Sequence, residues 1–231
     1  MLGAARRVEY VPTLTRLLED PQPEVRRVAI RSLGRIGSAD AAEPLLHSVS
    51  GDPPTSSMDV SAALVLLAPD ATAVLARIAR ESTSDVERAV AAEVLGLRGA
   101  VVSAPTLITM LQDSNSPEVQ IRAARALGRI GDPRAVQALS EALGLSDVRL
   151  RTVAARALGE LGAAAAISAL AGHLDDPDHR VATNAAEALC RLGDGGYHTL
   201  VQASMGDNGR AAGHAREALA MQALGKTADA A

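Results

Sequence analysis

No phenylalanine and no tryptophan occur among the 231 residues of this chain, and its only tyrosines are Tyr10 and Tyr197. β-Sandwiches and β-barrels are enriched in aromatic and β-branched residues, so this scarcity argues against a protein built from sheets. Hydrophobic residues still account for 48% of the chain, chiefly as Ala, Leu, Val and Ile. Because small aliphatic side chains allow helices to pack closely, the composition predicts an all-α protein.

Lysine and cysteine are almost absent as well. Lys226 is the only lysine, so nearly all of the 23 basic residues are arginine, which is typical of a GC-rich bacterial genome. Cys190 is the only cysteine and cannot form a disulfide within the chain. We therefore expect a buried, unreactive thiol in a reducing compartment.

The chain also lacks long apolar runs and an excess of positive charge. The longest apolar run, Ala62 to Ala68, is far shorter than the roughly 20 residues that a membrane-spanning helix needs, and the N-terminal charges are not followed by the apolar segment of a secretory signal. The formal net charge of −4 argues against bulk attraction to nucleic acid or to an anionic membrane. We expect a cytoplasmic protein with no membrane insertion within this chain.

A two-residue step, leucine usually followed by glycine, recurs along the chain at a nearly constant interval. The intervals between consecutive copies are 31, 31, 32, 31, 31 and 30 residues. A fixed period in this range is the sequence signature of a solenoid built from repeated units. The seven copies are Leu33-Gly34, Leu64-Val65, Leu95-Gly96, Leu127-Gly128, Leu158-Gly159, Leu189-Cys190 and Leu219-Ala220.

Each unit predicts two helices with a polar break between them. The first run is short, apolar at helical spacing and opened by proline, as in Pro12 to Asp20 and Pro105 to Asp113. The break supplies Asp or Ser as N-caps, and the second run extends for three to four turns, as in Glu24 to Ile36. The second helix is expected to end at a glycine in the left-handed conformation. These glycines are Gly37, Gly131, Gly162 and Gly193.

The second helix of the first unit is amphipathic. A helical pair this small cannot cover its own apolar face, so it must pack against the next pair, and the sequence thus predicts a continuous stack. The core face of this helix carries Val25, Ala29, Leu33 and Ile36, and its outer face carries Glu24, Arg27, Arg31 and Arg35.

Two stretches carry a likeness to a known family: PEVRRVAIRSLGRIG, from Pro23 to Gly37, and SPEVQIRAARALGRIGDPRA, from Ser116 to Ala135. They resemble the HEAT repeat family, in particular the short bacterial form called the phycobilisome-lyase-type HEAT-like repeat. The resemblance covers essentially the whole chain. It implies a single domain over residues 1–231, a right-handed α-solenoid of about seven helical hairpins with a period of 31 residues, and places the second helices on the concave side. It is specific for the fold and says little about function.

The two ends leave alternatives open. Leu2-Gly3 lies one period before Leu33-Gly34, which suggests either a segment of a longer protein, for instance one with a membrane anchor, or a short natural protein with frayed ends. Near the C-terminus, Leu224 to Ala231 again looks like the end of a unit. The last unit therefore aligns either on Leu219 or, with an insertion around Met205 to Gly213, on Leu224.

No set of residues predicts catalysis. The five histidines have no partner at metal-ligand spacing, and none is followed by Glu as in the HEAT-like iron hydroxylases. The missing aromatic residues also remove the stacking surfaces of the HEAT-like DNA glycosylases. Gly193 to Gly196 is interpreted as an inter-repeat turn, and Asp175 and Asp176 as helix caps. The histidines are His47, His173, His179, His198 and His214. We predict no catalytic residue, no metal and no cofactor.

The outer positions of the second helices form a ridge in which arginine outnumbers acid, although the chain is acidic. A row of guanidinium groups suits carboxylates or phosphates. The predicted partner-binding residues are Arg27, Arg31, Arg35, Arg122, Arg125, Arg129, Arg156 and Arg191, and Arg149, Glu160, Arg180 and Glu187 continue the ridge. The alternative is a solvated face on which Arg156 pairs with Glu160 and Glu187 with Arg191.

Units 2 and 3 interrupt the ridge with apolar residues. Met58, Leu66 and Leu97 occupy positions that hold arginine in the first unit. An apolar spot beside charged residues is typical of a protein-binding surface. The alternative is that unit 2, whose break between Ser50 and Ala73 contains a Pro-Pro pair, is shifted in register and buries these side chains.

Together these features predict a non-catalytic scaffold that holds an acidic or extended protein partner along the concave side. Two alternatives remain. The repeat type implies a subunit of a phycobilin-lyase-like enzyme, and the arginine ridge allows a nucleic-acid-binding solenoid. The acidic balance and the missing aromatic residues make nucleic acid the weaker interpretation.

Overall fold

A computed structural model describes residues 8–207 and 209–228, with side chains up to Leu224. These residues contain fourteen α-helices and no strand, which confirms the all-α prediction. The first helices of the pairs, here called A helices, are α1 (Val11–Arg16), α3 (Ala42–His47), α5 (Ala71–Glu81), α7 (Ala104–Asp113), α9 (Val136–Ala142), α11 (Ile167–Gly172) and α13 (Gly193–Ser204). The B helices are α2 (Pro23–Ile36), α4 (Ser57–Val65), α6 (Asp85–Leu97), α8 (Pro117–Ile130), α10 (Val148–Leu161), α12 (His179–Arg191) and α14 (Gly209–Ala228).

The seven pairs stack into two layers. Each B helix contacts the B helix of the next repeat, and most A helices likewise contact the next A helix. One hydrophobic core runs through the stack, from Val11 in α1 to Ala218 in α14. In the described part of the chain, no helix has the length and hydropathy needed to cross a bilayer.

The leucine of each step lies at the centre of this core. The first six of these leucines are fully buried, and Leu219 is half-buried. On α2, Ala29 and Leu33 are buried as expected, whereas Val25 and Ile36 are only half-buried. The six fully buried leucines are Leu33, Leu64, Leu95, Leu127, Leu158 and Leu189.

The glycine of each step lets neighbouring B helices approach closely. A methyl group added at Gly96 would lie 2.6 Å from the Cα of Ala126, and one added at Gly128 would lie 2.8 Å from the Cα of Ala157. Gly34 and Gly159 face Ala63 and Ala188 in the same way. A glycine-to-alanine contact between neighbouring B helices therefore recurs along the stack with the period of the sequence.

The B helices end where the glycines predict. Gly37, Gly131, Gly162 and Gly193 all have left-handed φ angles, between 66° and 73°. A side chain at such a φ is strained, so glycine is the residue that suits these turns.

The caps at the helix starts differ in part from the prediction. Asp147 and Asp178 accept hydrogen bonds from first-turn backbone N–H groups of α10 and α12, but Ser116 makes no such bond at the start of α8. The N-cap of α12 is Asp178, so the interpretation of Asp175 and Asp176 as helix caps is wrong. Asp175 pairs with Arg210 at 3.0 Å. Asp176 is buried and accepts one hydrogen bond of 2.9 Å from the backbone N–H of Asp178 and two of 3.0 Å from Arg151 of the preceding repeat.

Two further predictions are corrected by α13 and α14. Only Gly193 of the Gly193 to Gly196 stretch acts as the turn, because α13 begins there. The Sγ of Cys190 lies 3.8 Å from the carbonyl oxygen of Ala218, so Ala218 takes the place that Ala188 has one repeat earlier. That contact supports the alignment of the last repeat on Leu219. Leu2-Gly3 and residues 229–231 lie outside the described residues.

Repeat 2 departs from the others at its second helix. The helix α4 has only nine residues and ends at Val65 without a left-handed glycine. Arg98, at the end of α6, donates hydrogen bonds of 2.9 to 3.0 Å to the carbonyl oxygens of Leu64, Leu67 and Ala68. The guanidinium group from repeat 3 therefore stabilises the end that lacks its own cap.

Candidate functional site: the exposed face of the B helices

The outward side of the B helices, here called the B face, is formed by the positions five or six residues before, two residues before and two residues after each step leucine. Arginines hold these positions in α2 (Arg27, Arg31 and Arg35) and in α8 (Arg122, Arg125 and Arg129). These arginines therefore occupy equivalent positions of their B helices. Most are exposed, and Arg122 and Arg125 are half-buried.

The arginines of the B face divide into paired and unpaired groups. Arg122 forms ion pairs with Glu118 and with Glu93 of the preceding repeat. Arg156 pairs with Glu160 at 2.8 Å, as the solvated-face alternative expected, whereas the described residues show no ion pair between Glu187 and Arg191. Within the described part of the chain, six B-face arginines form no ion pair: Arg27, Arg31, Arg35, Arg125, Arg129 and Arg191.

Arg149 and Arg180, which the sequence added to the ridge, are held at the starts of their helices. Arg149 pairs with Asp147 at 3.1 Å, and Arg180 pairs with Asp178 at 3.1 Å. In each case the hydrogen bond from the arginine side chain lowers the pKa of the aspartate. These two guanidinium groups are therefore engaged by the N-cap residues.

The apolar residues of the B face are exposed. Met58 has 79% of its surface accessible, Leu66 has 59% and Leu97 has 46%. The alternative that repeat 2 is shifted in register and buries Met58 and Leu66 is therefore wrong. Between the arginines of α2 and those of α8 lies a surface of apolar side chains.

Stacking joins two pairs of side chains that are distant in the sequence. His179 Nδ1 and His214 Nε2 lie 2.8 Å apart, one on α12 and the other on α14. His47 Nδ1 lies 3.0 Å from Oε1 of Glu87, and His47 Nε2 lies 3.5 Å from Oε1 of Glu43, one turn earlier in α3. The prediction that no histidine has a carboxylate partner at helical spacing is therefore wrong for His47. The separations of 35 and 40 residues exceed one period, so the linear spacing gave no signal for either pair. Over the described ranges, no cluster of three or more His, Cys, Asp or Glu side chains has the geometry of a metal site.

Glu87 is a buried carboxylate in a polar cluster at the edge of repeats 2 and 3. Burial alone would raise its pKa, but hydrogen bonds from Ser50, His47 and Ser82 outweigh burial and leave the pKa lowered. The hydrogen bond to Glu87 in turn raises the pKa of His47. The cluster joins side chains of repeats 2 and 3, so we assign it to the joint between these repeats.

Cys190 replaces the glycine of the step in repeat 6, and a cleft opens beside it. The thiol is half-buried rather than fully buried as predicted, and burial raises its pKa. The cleft, about 620 Å³ in volume, lies between α12 and α14, and Ala186, Ala218 and Met221 contribute apolar surface to it. The contact between α12 and α14 is also less extensive than that between α10 and α12, as expected for a side chain larger than glycine at this position.

The family assignment follows from the repeats. A sequence profile described as HEAT repeats matches residues 1–66, 71–155 and 104–190. The chain belongs to the HEAT repeat family. No curated protein sequence matches the chain.

Solved structures show the same fold. An engineered protein superimposes with a TM-score of 0.52 at 22% identity, over 90% of this chain and 94% of that protein. Kap95p, in a structure describing its binding to RanGDP, gives a TM-score of 0.62 at 14% identity, over 90% of this chain and 36% of Kap95p. The CpcE–CpcF phycocyanin lyase from Nostoc sp. PCC7120 is 23% identical over 85% of this chain and 82% of that chain, but its TM-score of 0.44 supports no functional argument.

Proposed function

We propose that this chain is a non-catalytic interaction scaffold that holds an acidic segment of a protein partner along its B face. The six B-face arginines without an ion pair carry this proposal. An unpaired guanidinium group can bind a carboxylate through two parallel hydrogen bonds. Their placement along one side of a stack suits an elongated partner segment better than a small molecule.

The fold supports the same class of function. Kap95p, which has a similar fold over 90% of this chain, binds RanGDP, so this architecture can present a surface to another protein. The partner, the reducing compartment and the bacterial source remain predictions from the sequence. Protein binding is favoured over nucleic acid because exposed leucine and methionine side chains lie among the arginines.

Charge reversal on the two layers tests the proposal. Arg125→Glu with Arg129→Glu changes the B face, and Arg77→Glu with Arg80→Glu makes the same change in charge on the A helix α5. We expect the B-face variant to lose partners that the wild-type chain captures from its source cells, quantified by mass spectrometry, and the α5 variant to retain them. Circular dichroism melts control for folding.

The opposite pattern contradicts the proposal. Partners lost equally with both variants, or retained by a folded B-face variant, would remove the arginines from the binding surface. Capture that is abolished by nuclease would instead indicate nucleic-acid binding.

A further inference from the structure

We infer that the partner binds through an extended segment of about eight residues with acidic side chains at both ends and apolar side chains between them. This inference rests on the proposed function and specifies the chemistry of the segment. It follows from the order of charged and apolar residues along the B face.

The middle of the B face, formed by repeats 2 and 3, offers apolar contacts. Leu66, directly after α4, and Leu97, the last residue of α6, are exposed at equivalent positions of the repeat, and Met58 lies at the start of α4. Ala62, between Met58 and Leu66, is also exposed and leaves room beside these larger side chains. At the corresponding position of α6, Glu93 is paired with Arg122, so its charge is balanced.

Unpaired arginines bound this apolar surface on both sides. Arg31 and Arg35 belong to repeat 1, and Arg125 and Arg129 belong to repeat 4. Packed helices lie 8–10 Å apart, and three such helix-to-helix distances separate α2 from α8, so the two sets of arginines are about 27 Å apart. An extended chain rises about 3.3 Å per residue, so about eight residues span the distance.

This order of residues favours a peptide over a nucleic-acid strand. A nucleic acid carries a charge at every phosphate and would gain most from an uninterrupted row of cations. The apolar residues of repeats 2 and 3 interrupt the row and present surface that only apolar groups of a partner can bury. A peptide with acid, apolar and acid blocks complements all three parts of the face.

Two synthetic peptides of identical composition provide the test. The first has three glutamates at each end and a central block of leucine alternating with serine, and the second has the same residues with all the glutamates in the centre. Fluorescence anisotropy with the full chain should give a dissociation constant at least about tenfold lower for the first peptide. Leu66→Asp should weaken its binding about tenfold or more, as expected from losing an apolar contact and adding a like charge. Ala73→Asp, on the exposed side of α5, should leave binding within about twofold of wild type.

Equal affinity for the two peptides, or wild-type affinity in a folded Leu66→Asp variant, would overturn the inference. Failure of both peptides to bind would overturn it as well. The proposed function would survive those results if partner capture still depended on Arg125 and Arg129, because that measurement does not require this order of residues in the segment.

Discussion

Replacing Gly96 by alanine tests how closely the B helices approach. The added methyl would lie 2.6 Å from the Cα and 2.7 Å from the Cβ of Ala126, well inside van der Waals contact. Because the nearest atom belongs to the backbone of α8, no rotamer change can relieve the overlap, and α6 and α8 must move apart. Overpacking of this kind costs about 3 kcal/mol, and the better helix propensity of alanine returns about 1 kcal/mol. We therefore expect a net loss of about 2 kcal/mol.

Gly213→Ala is the matched control. Gly213 lies inside α14 with no atom within 4 Å of an added methyl, so alanine should stabilise the protein by about 0.5–1 kcal/mol. Urea unfolding followed by circular dichroism at 222 nm measures both changes. If Gly96→Ala were as stable as Gly213→Ala, the glycine-to-alanine contact would not set the spacing of the repeats.

Two further predictions concern the joints between repeats. Arg98→Ala should lower the free energy of unfolding by about 3 kcal/mol, because carbonyl oxygens at the end of α4 lose a charged donor. Arg98→Lys should recover part of this loss in thermal melts. An Arg98→Ala variant as stable as wild type would show that water caps α4 equally well. The pKa of His47 is raised in the folded protein, so His47 stabilises the fold below its unfolded pKa of about 6.5, and this stability is lost as the pH rises through the folded pKa. The pKa of Glu87 is lowered, so Glu87 stabilises the fold above its unfolded pKa of about 4.3, and this stability is lost as the pH falls through the folded pKa. His47→Gln should therefore be more destabilising at pH 5.5 than at pH 8.5 in urea titrations, and an equal effect at both pH values would contradict the role of the charge.

The sequence predicted the repeats because their period is a local property. The glycine of the step marks where two B helices approach closely, as Gly128 does, and the left-handed glycine marks where a B helix ends, as Gly131 does. Each of these features is visible within a single repeat of the sequence. The exposure of most B-face arginines was predictable for the same reason, since amphipathic spacing fixes which side of a helix faces outward.

Contacts between repeats were not predictable in the same way. Glu93 pairs with Arg122 and His179 meets His214 only after neighbouring repeats stack, and their linear separations resemble those of many pairs that do not touch. Only the bond between Arg122 and Glu93 depends on stacking. The pairs of Arg122 with Glu118 and of Arg156 with Glu160 were foreseeable, because each glutamate lies one turn from its arginine.

Departures from the repeat pattern were visible in the sequence, but their consequences depended on three-dimensional packing. Val65 and Cys190 each replace the glycine of the step. At Val65 the short helix α4 is stabilised by Arg98, and at Cys190 a cleft opens between α12 and α14. The same kind of substitution therefore has different structural consequences in repeats 2 and 6.

Photo-crosslinking from two exposed alanines tests the central claim, that the B face is the partner-binding surface. A benzophenone amino acid replaces Ala62 on α4 or Ala73 on α5, in the source cells, and crosslinked products are compared. If the partner binds the B face, a protein adduct forms from position 62, is absent from position 73 and is lost when Arg125 and Arg129 are both replaced by glutamate. The same adduct from both positions, or an adduct from position 73 alone, would contradict it.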